Sequence, residues 1–252
     1  MNTVIRHIDF EVPDFAECDA GPTERLGYRS LVLAMGPVAY WRLGEQSGSA
    51  ALDEAGSSHG VYTGGPLIGQ PGALAWDDDA AVRFDGDNDH VALGTIGLNH
   101  PLQLAATNIT CVVWFDQLSG GDAYQRIVDK STGAQGANGY AFWADPASAK
   151  LAIHVNGNWY QAGPYTTNAW HCAAFVITAS VYRIYLDGVE LAGSWASGAA
   201  KLAPQAATYA RIGTWNHSTA REWKGYLDEI ALWNRALSSE EIIQLYQRGI
   251  GR

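Results

Sequence analysis

The stretch that most constrains this chain runs from Lys224 to Tyr246, near the C-terminus. Its first half alternates. Leu227, Glu229, Ala231 and Trp233 fall on one side, and Asp228, Ile230, Leu232 and Asn234 on the other. A period of two is a strand, and apolar residues on both sides make it a largely buried one. The second half changes period. Ser238 and Glu241 have the spacing of a capping box, and Ile242, Leu245 and Tyr246 then recur at helical intervals. A buried strand therefore runs through a short turn into a capped helix of about two to three turns.

Upstream, the pattern is strands and turns. It predicts strands over 38–43, 81–84, 89–93, 108–116, 125–130, 139–144, 149–156, 170–178, 181–187, 208–213 and 226–234. Asn138-Gly139, Asn156-Gly157 and Asp187-Gly188 are tight-hairpin signals between apolar runs. No helical period separates the strands, so the expectation is antiparallel β rather than α/β. Residues 29–35 suggest a short helix stopped by Gly36-Pro37. Residues 192–207, rich in Ala, Gly and Ser, read as a loop.

Several pieces, in order, carry a family resemblance. They are Gly36–Glu45, Val82–Val91, Ile109–Phe115, Trp170-His171 through Val176, Tyr182–Gly188, and finally Leu227-Asp228-Glu229 through Tyr246. Together, over roughly 36–248, they resemble the laminin-G-like, concanavalin A-like lectin superfamily. The resemblance implies an all-β antiparallel β-sandwich, a jelly roll with a short C-terminal helix. It divides the chain into an N-terminal arm with a short helix (1–35) and the sandwich (36–252). Such a sandwich carries lectins, adhesion modules, enzyme appendages and virion proteins alike, so it does not by itself fix function.

Composition narrows the partners. The net charge is −10, which argues against a nucleic-acid partner, since a phosphate backbone needs a basic surface. No apolar run reaches the length of a membrane span, and Met1–Phe10 lacks the apolar core of a signal peptide, so neither membrane insertion nor signal-directed export is expected. Cys18, Cys111 and Cys172 form an odd set; the last two fall in core strands and read as buried thiols. Residues 1–28 are acidic, broken by Pro13 and Pro22, and strand-like from Val4 to Val12. That suggests an arm that adds a strand to a neighbouring subunit.

The sequence carries no sign of catalysis. Glucan-cleaving members of this superfamily carry E-x-D-x-x-E on a central strand, with two carboxylates about 5–5.5 Å apart, and that motif is absent. So is H-E-x-x-H. Asp77-Asp78-Asp79 reads as a solvated turn and His171 as structural. The expectation is a non-enzyme.

Two binding chemistries remain. A buried Asp228 needs a partner, and the resemblance pairs it with Asp53 at a structural calcium site on the sandwich rim; Asp87 is a further candidate. Backbone N–H groups or Arg235 would satisfy Asp228 equally well. Sugars stack on exposed aromatics, and the loop candidates among the 10 Trp are Trp159 (with Tyr160, at a hairpin tip), Trp195, Trp215 and Trp223, with Asn216 to meet hydroxyls. Buried satellite clusters and subunit interfaces are the competing uses of these indoles.

The entry Tyr28–Glu45 resembles that of such domains in bacteriophage structural proteins. The reading that follows is a virion surface protein, a capsid decoration, head-fibre or tail component. It would be a homo-oligomer anchored to capsid or tail proteins through residues 1–28, with the sandwich outward. The alternative is a calcium-assisted adhesion module for host-surface glycans.

Overall fold

The computed structural model describes residues 26–104, 108–133, 138–199, 206–216 and 220–251. Two antiparallel sheets face each other. The back sheet holds β1 (Ala39–Trp41), β4 (Leu67–Pro71), β5 (Ala80–Asp85), β7 (Ile109–Gln117), β12 (Trp170–Ile177), β13 (Tyr182–Leu186), β14 (Val189–Glu190) and β17 (Lys224–Trp233). Its order is β14-β13-β12-β7-β17-β5-β4, with β1 also on β17. The front sheet holds β2 (Ala50–Ala51), β3 (Gly60–Thr63), β6 (His90–Ile96), β8 (Gln125–Lys130), β9 (Tyr140–Asp145), β10 (Lys150–Val155), β11 (Asn158–Ala162), β15 (Gly193–Ser197) and β16 (Thr208–Ile212). Its order is β15-β11-β10-β9-β8-β16-β6-β3-β2. The expected sandwich is present, as is every expected strand.

The sheets enclose one core, with Val113, Phe115, Phe175, Leu227, Ile230 and Leu232 from the back sheet meeting Phe142, Ile153 and Ile212 from the front. A second core lies on the other side of the back sheet. There α1 (Tyr28–Ala34) and α2 (Ser239–Gly249) cover Val112, Trp114, Cys172, Ala174 and Trp233. Trp114 joins the two helices: its Nε1 donates to Tyr28 Oη at 3.0 Å and its ring stacks on Tyr246. Helix α1 was expected to belong with the arm, yet its packing ties it to the sandwich. The back sheet is thus covered on both faces, whereas the outer face of the front sheet has no such layer among the described residues.

The capping box forms as expected. Ser238 Oγ accepts from Glu241 N–H, and the Glu241 carboxylate accepts from Ser238 N–H, an arrangement worth about 1 kcal/mol. The other Glu241 interaction is with Arg235, at 2.6 Å, so Arg235 does not serve Asp228. Cys111 and Cys172 are buried free thiols. They belong to opposite faces of the back sheet, Cys111 to the inter-sheet core and Cys172 to the helix-covered one.

The alternation read through β17 needs correction. Leu227 shares the inter-sheet core with Ile230 and Leu232, not a face with Ala231 and Trp233. The register against β7 shifts between Asp228 and Ala231, and Glu229 has φ +53°. One extra residue here makes a β-bulge, which reverses the facing of everything beyond it. Two further corrections concern loops. Trp159 and Tyr160 follow the hairpin tip, as expected, but within a strand, β11, that was not expected, and Trp195 lies within β15 rather than in a loop.

Candidate functional site

The hairpin β10–β11 builds the most distinctive surface. Asn156 and Gly157 form its turn, both at positive φ (+49° and +82°), the geometry of a type I′ turn. The turn sets the register in which His154 faces Trp159. Leu151, Ile153 and Val155 point into the core, so alternation sends His154 to the outer face. Alternation through Phe142 and Ala144 on β9 does the same for Trp143. Four rings then meet edge to face: Trp143 lies 5.3 Å from Trp159, 5.4 Å from His154 and 5.1 Å from Tyr124, and His154 lies 5.1 Å from Trp159. Such pairs add about 0.5–1.5 kcal/mol each beyond burial.

Tyr124, His154, Trp159 and Arg221 line an open pocket of about 230 Å³. Beneath it lies a fully buried ion pair, Arg126–Asp129 at 3.0 Å. Arg126 also fixes the rim. Its Nη1 donates to the Tyr124 carbonyl at 2.9 Å, and its backbone N–H donates to the Arg221 carbonyl at 3.0 Å. The Arg221 guanidinium stands 4.3 Å from the Trp215 ring centroid and 5.7 Å from that of Tyr124, in cation–π range of both. Arg126 Nη2, Trp143 Nε1, Trp159 Nε1 and both His154 ring nitrogens are buried without a hydrogen-bond partner. Burial, reinforced by Arg126 and Arg221, pushes the His154 imidazole down to about 2, so it is neutral at ordinary pH.

The expected sugar-contacting residues divide. Trp159 lines the pocket and Trp215 supports Arg221 at its rim. Tyr160 points the other way and joins Trp195 and Tyr182 in a separate cluster at the sheet edge. Trp223 is fully buried against Phe115, so it has no face to offer a sugar. Asn216 is 9% exposed, and its amide donates to the carbonyls of Ser131 and Tyr209; it pins a loop. The sequence reading missed Tyr124, His154 and Arg221. Alternation could have found His154, because its neighbours on β10 are all core residues.

A second cluster forms at the β17 bulge. On one side of β17, β5 pairs as far as Leu227 and β1 takes over from Ile230, so Asp228 and Glu229 occupy the gap between them. Asp79, Asp228 and Glu229 bring carboxylate oxygens within 4.8 Å of one another. Arg42 lies among them, 2.7 Å from Glu229, 2.9 Å from Asp77 and 3.0 Å from Asp79, and Tyr40 Oη donates to Glu229. Asp77 and Asp79 are therefore ion-paired rather than a solvated turn. Asp228 Oδ2 accepts from Ala73 N–H at 2.8 Å, while its Oδ1 is buried without a partner. Burial pushes both Asp228 and Glu229 upward, with Glu229 and Asp79 adding to the rise at Asp228 and Asp79 to that at Glu229.

The donor set is all carboxylate, with one orphaned buried oxygen, and that fits a hard cation such as calcium. The expected partner for Asp228 does not fit. The Asp53 carboxylate is engaged by three backbone N–H groups, those of Tyr40, Ala55 and Ser58, at 2.9–3.0 Å. Asp87 is exposed, and its N–H donates to the Asp85 side chain in a local turn.

A family model for the concanavalin A-like lectin/glucanases superfamily matches residues 84–243. The chain belongs to this superfamily. Among curated proteins no sequence matches it. Solved structures resemble this concanavalin A-like sandwich at low identity, which bears on the fold alone. One is a Trypanosoma rangeli sialidase in complex with 2,3-difluorosialic acid, at 16% identity and TM-score 0.64, covering 84% of this chain and 32% of that one. The chain thus spans about a third of that sialidase. Another is domain 4 of AbnA, an extracellular arabinanase of Geobacillus stearothermophilus, in complex with arabinotriose (16% identity, TM-score 0.57, covering 84% and 98%). A third is the CBM40 of a Ruminococcus gnavus sialidase bound to α2,3-sialyllactose (12% identity, TM-score 0.52, covering 66% and 96%). No helix among the described residues is long and apolar enough to cross a membrane.

Proposed function

We propose that this domain is a non-catalytic carbohydrate-binding module whose site is the pocket of Tyr124, His154, Trp159 and Arg221. The observation that carries this reading is the aromatic cluster on the uncovered face of the front sheet. Trp159 and Tyr124 are partly exposed there, while Trp143 beneath them is fully buried. A rigid aromatic surface with a few fixed polar groups suits the apolar face of a pyranose. Among the described residues the pocket walls hold no carboxylate, in keeping with binding rather than glycoside hydrolysis. Two of the similar structures are carbohydrate-bound modules that this chain covers to 98% and 96% of their length, which supports the same reading. Intrinsic tryptophan fluorescence titrated with an oligosaccharide panel tests it, with Trp159→Ala as the control. Saturable binding is expected in the parent and none in the variant.

Calcium, in this reading, is structural. It would be held by Asp79, Asp228 and Glu229, far in role from the sugar pocket, and would supply the positive charge that Arg42 alone does not.

A second reading places the module on a virion, as a capsid decoration, head-fibre or tail component anchored and oligomerised through residues 1–28. Residues 1–25 lie outside the described residues. What favours this reading is Trp76, 95% exposed, which lines a surface hollow with Gly27 and Tyr28, where that segment joins the sandwich. A water-facing indole at such a junction suits a protein contact. The helix-covered side of the back sheet would then face the anchor and the pocket would face outward. Removal of residues 1–25 tests this: assembly into oligomers or particles is expected to be lost while the sandwich stays folded.

A further inference from the structure

We infer that the Trp159 pocket selects an acidic sugar, a pyranose bearing a carboxylate, and that Arg221 is the residue that receives the carboxylate. This rests on the carbohydrate-binding reading of the same pocket and deepens it.

Four observations point to an anion. Arg221 forms no ion pair among the described residues: its guanidinium stands over the rings of Trp215 and Tyr124, and the Asp122 carboxylate accepts from its backbone N–H rather than from its side chain. Cation–π contact with two rings positions the guanidinium without using its N–H groups, and a guanidinium matches a carboxylate. Second, no acidic residue among the described residues lines the pocket. The buried Asp129 carboxylate beneath it is already engaged by Arg126 at 3.0 Å and by Ser131 Oγ at 2.7 Å. Third, the unpartnered groups under the pocket are rich in donors: Arg126 Nη2 and the indole N–H groups of Trp143 and Trp159, all buried. A ligand that complements them brings acceptors. Fourth, the charged groups that act on His154 are the guanidiniums of Arg126 and Arg221. Arg126 is balanced by Asp129, so the positive charge offered to a ligand in this pocket is that of Arg221, in a chain of net charge −10. A neutral sugar would gain nothing from that field, whereas a carboxylate gains a charge-assisted contact in a partly desolvated site.

Hexuronates and sialic acids share this chemistry, and methyl esterification removes the charge while keeping the ring. The test is isothermal titration of the full chain with oligogalacturonate and with sialyllactose, each beside its methyl ester, for the parent and for Arg221→Gln and Arg221→Lys. The expected result is a roughly 10- to 100-fold preference for one acid over its ester, as for a charge-assisted hydrogen bond. That preference should vanish in Arg221→Gln and return in part in Arg221→Lys. Which acid binds identifies the source. Equal binding of acid and ester would overturn the inference and leave the carbohydrate site standing. An acid preference that survives Arg221→Gln would overturn the role of Arg221. Failure of every sugar to bind a folded sample, judged by near-ultraviolet circular dichroism, would overturn the carbohydrate reading and this inference with it.

Discussion

His154 and Trp159 stand opposite each other across β10 and β11, their rings 5.1 Å apart at 69°. The Asn156-Gly157 turn sets that register, and the core residues beside His154 force its ring outward. A two-residue turn thereby builds one wall of a pocket whose opposite wall, Arg221, arrives 62 residues after Trp159 in the chain. Moving the register by one residue would send both rings into the core side.

Trp159 and Trp143 should separate binding from stability. Trp159 is partly exposed and Trp143 fully buried. Trp143→Ala is expected to cost about 3–5 kcal/mol, the range for deleting a buried aromatic. Trp159→Ala should cost clearly less and abolish sugar binding. Urea denaturation of both variants checks the difference.

The neutral His154 has a pH consequence. Its folded pKa, pushed down to about 2 by burial, lies below the unfolded value of about 6.5. The unfolded chain therefore takes up a proton first as pH falls. The stability from this group is present above about pH 6.5 and declines below it, by about 1.4 kcal/mol per pH unit. Melting temperatures of the parent and His154→Gln from pH 7 to pH 4 should show a shallower decline in the variant. An NMR titration should show no imidazole protonation between pH 8 and pH 5.

Glu222 has the opposite sign. It is 5% exposed, and burial, with Asp87, Asp122, Asp85 and Asp89 nearby, pushes its carboxyl up to about 7. The folded state holds this proton more tightly than the unfolded one, whose carboxyl titrates near 4.5. Its contribution is complete below about pH 4.5 and is lost as pH rises through 7. Glu222→Gln should therefore gain in melting temperature over the parent at pH 8, with the gain shrinking toward pH 5.

The acidic cluster at the bulge predicts a metal response. Calcium at roughly one hundred times its Kd should stabilise the parent by about 2.7 kcal/mol, read as a rise in melting temperature over an EDTA-treated sample. Asp228→Asn, which keeps the shape and the Ala73 contact but removes the charge, should lose that rise. Asp53→Asn should keep it, because the Asp53 carboxylate serves backbone N–H groups. An unchanged parent melting temperature would leave Arg42 as the counter-ion of the cluster.

What was legible in the sequence was local. The capping box of α2, the Asn156-Gly157 and Asp187-Gly188 turns and the apolar strands depend on neighbours a few residues apart, and these formed where expected; Asn138-Gly139 instead ends the longer connection 131–139 between β8 and β9. The bulge at Glu229 was not legible, because unbroken alternation in the sequence hides an inserted residue; only the register against β7 exposes it. Strands β11 and β15 were missed for a related reason. The small and polar residues of β15 carry no apolar period, and the strand is held by backbone pairing to β11. The site was half legible. Trp159 and Trp215 are conspicuous as aromatics, but Tyr124, His154 and Arg221 acquire meaning when the turn before β8, strand β10 and the bend before β17 converge. The same holds for Arg42, which reaches Glu229 across 187 residues of chain.

The central claim is that the pocket around Trp159 binds sugar. The most direct measurement is a titration of the parent and Trp159→Ala with acidic and neutral oligosaccharides. Ligands should be presented multivalently so that a weak site gains avidity. The account predicts saturable binding by the parent and none by the variant, with both melting cooperatively. Equal binding by the two proteins, or no binding by a folded, multivalent parent, would contradict it.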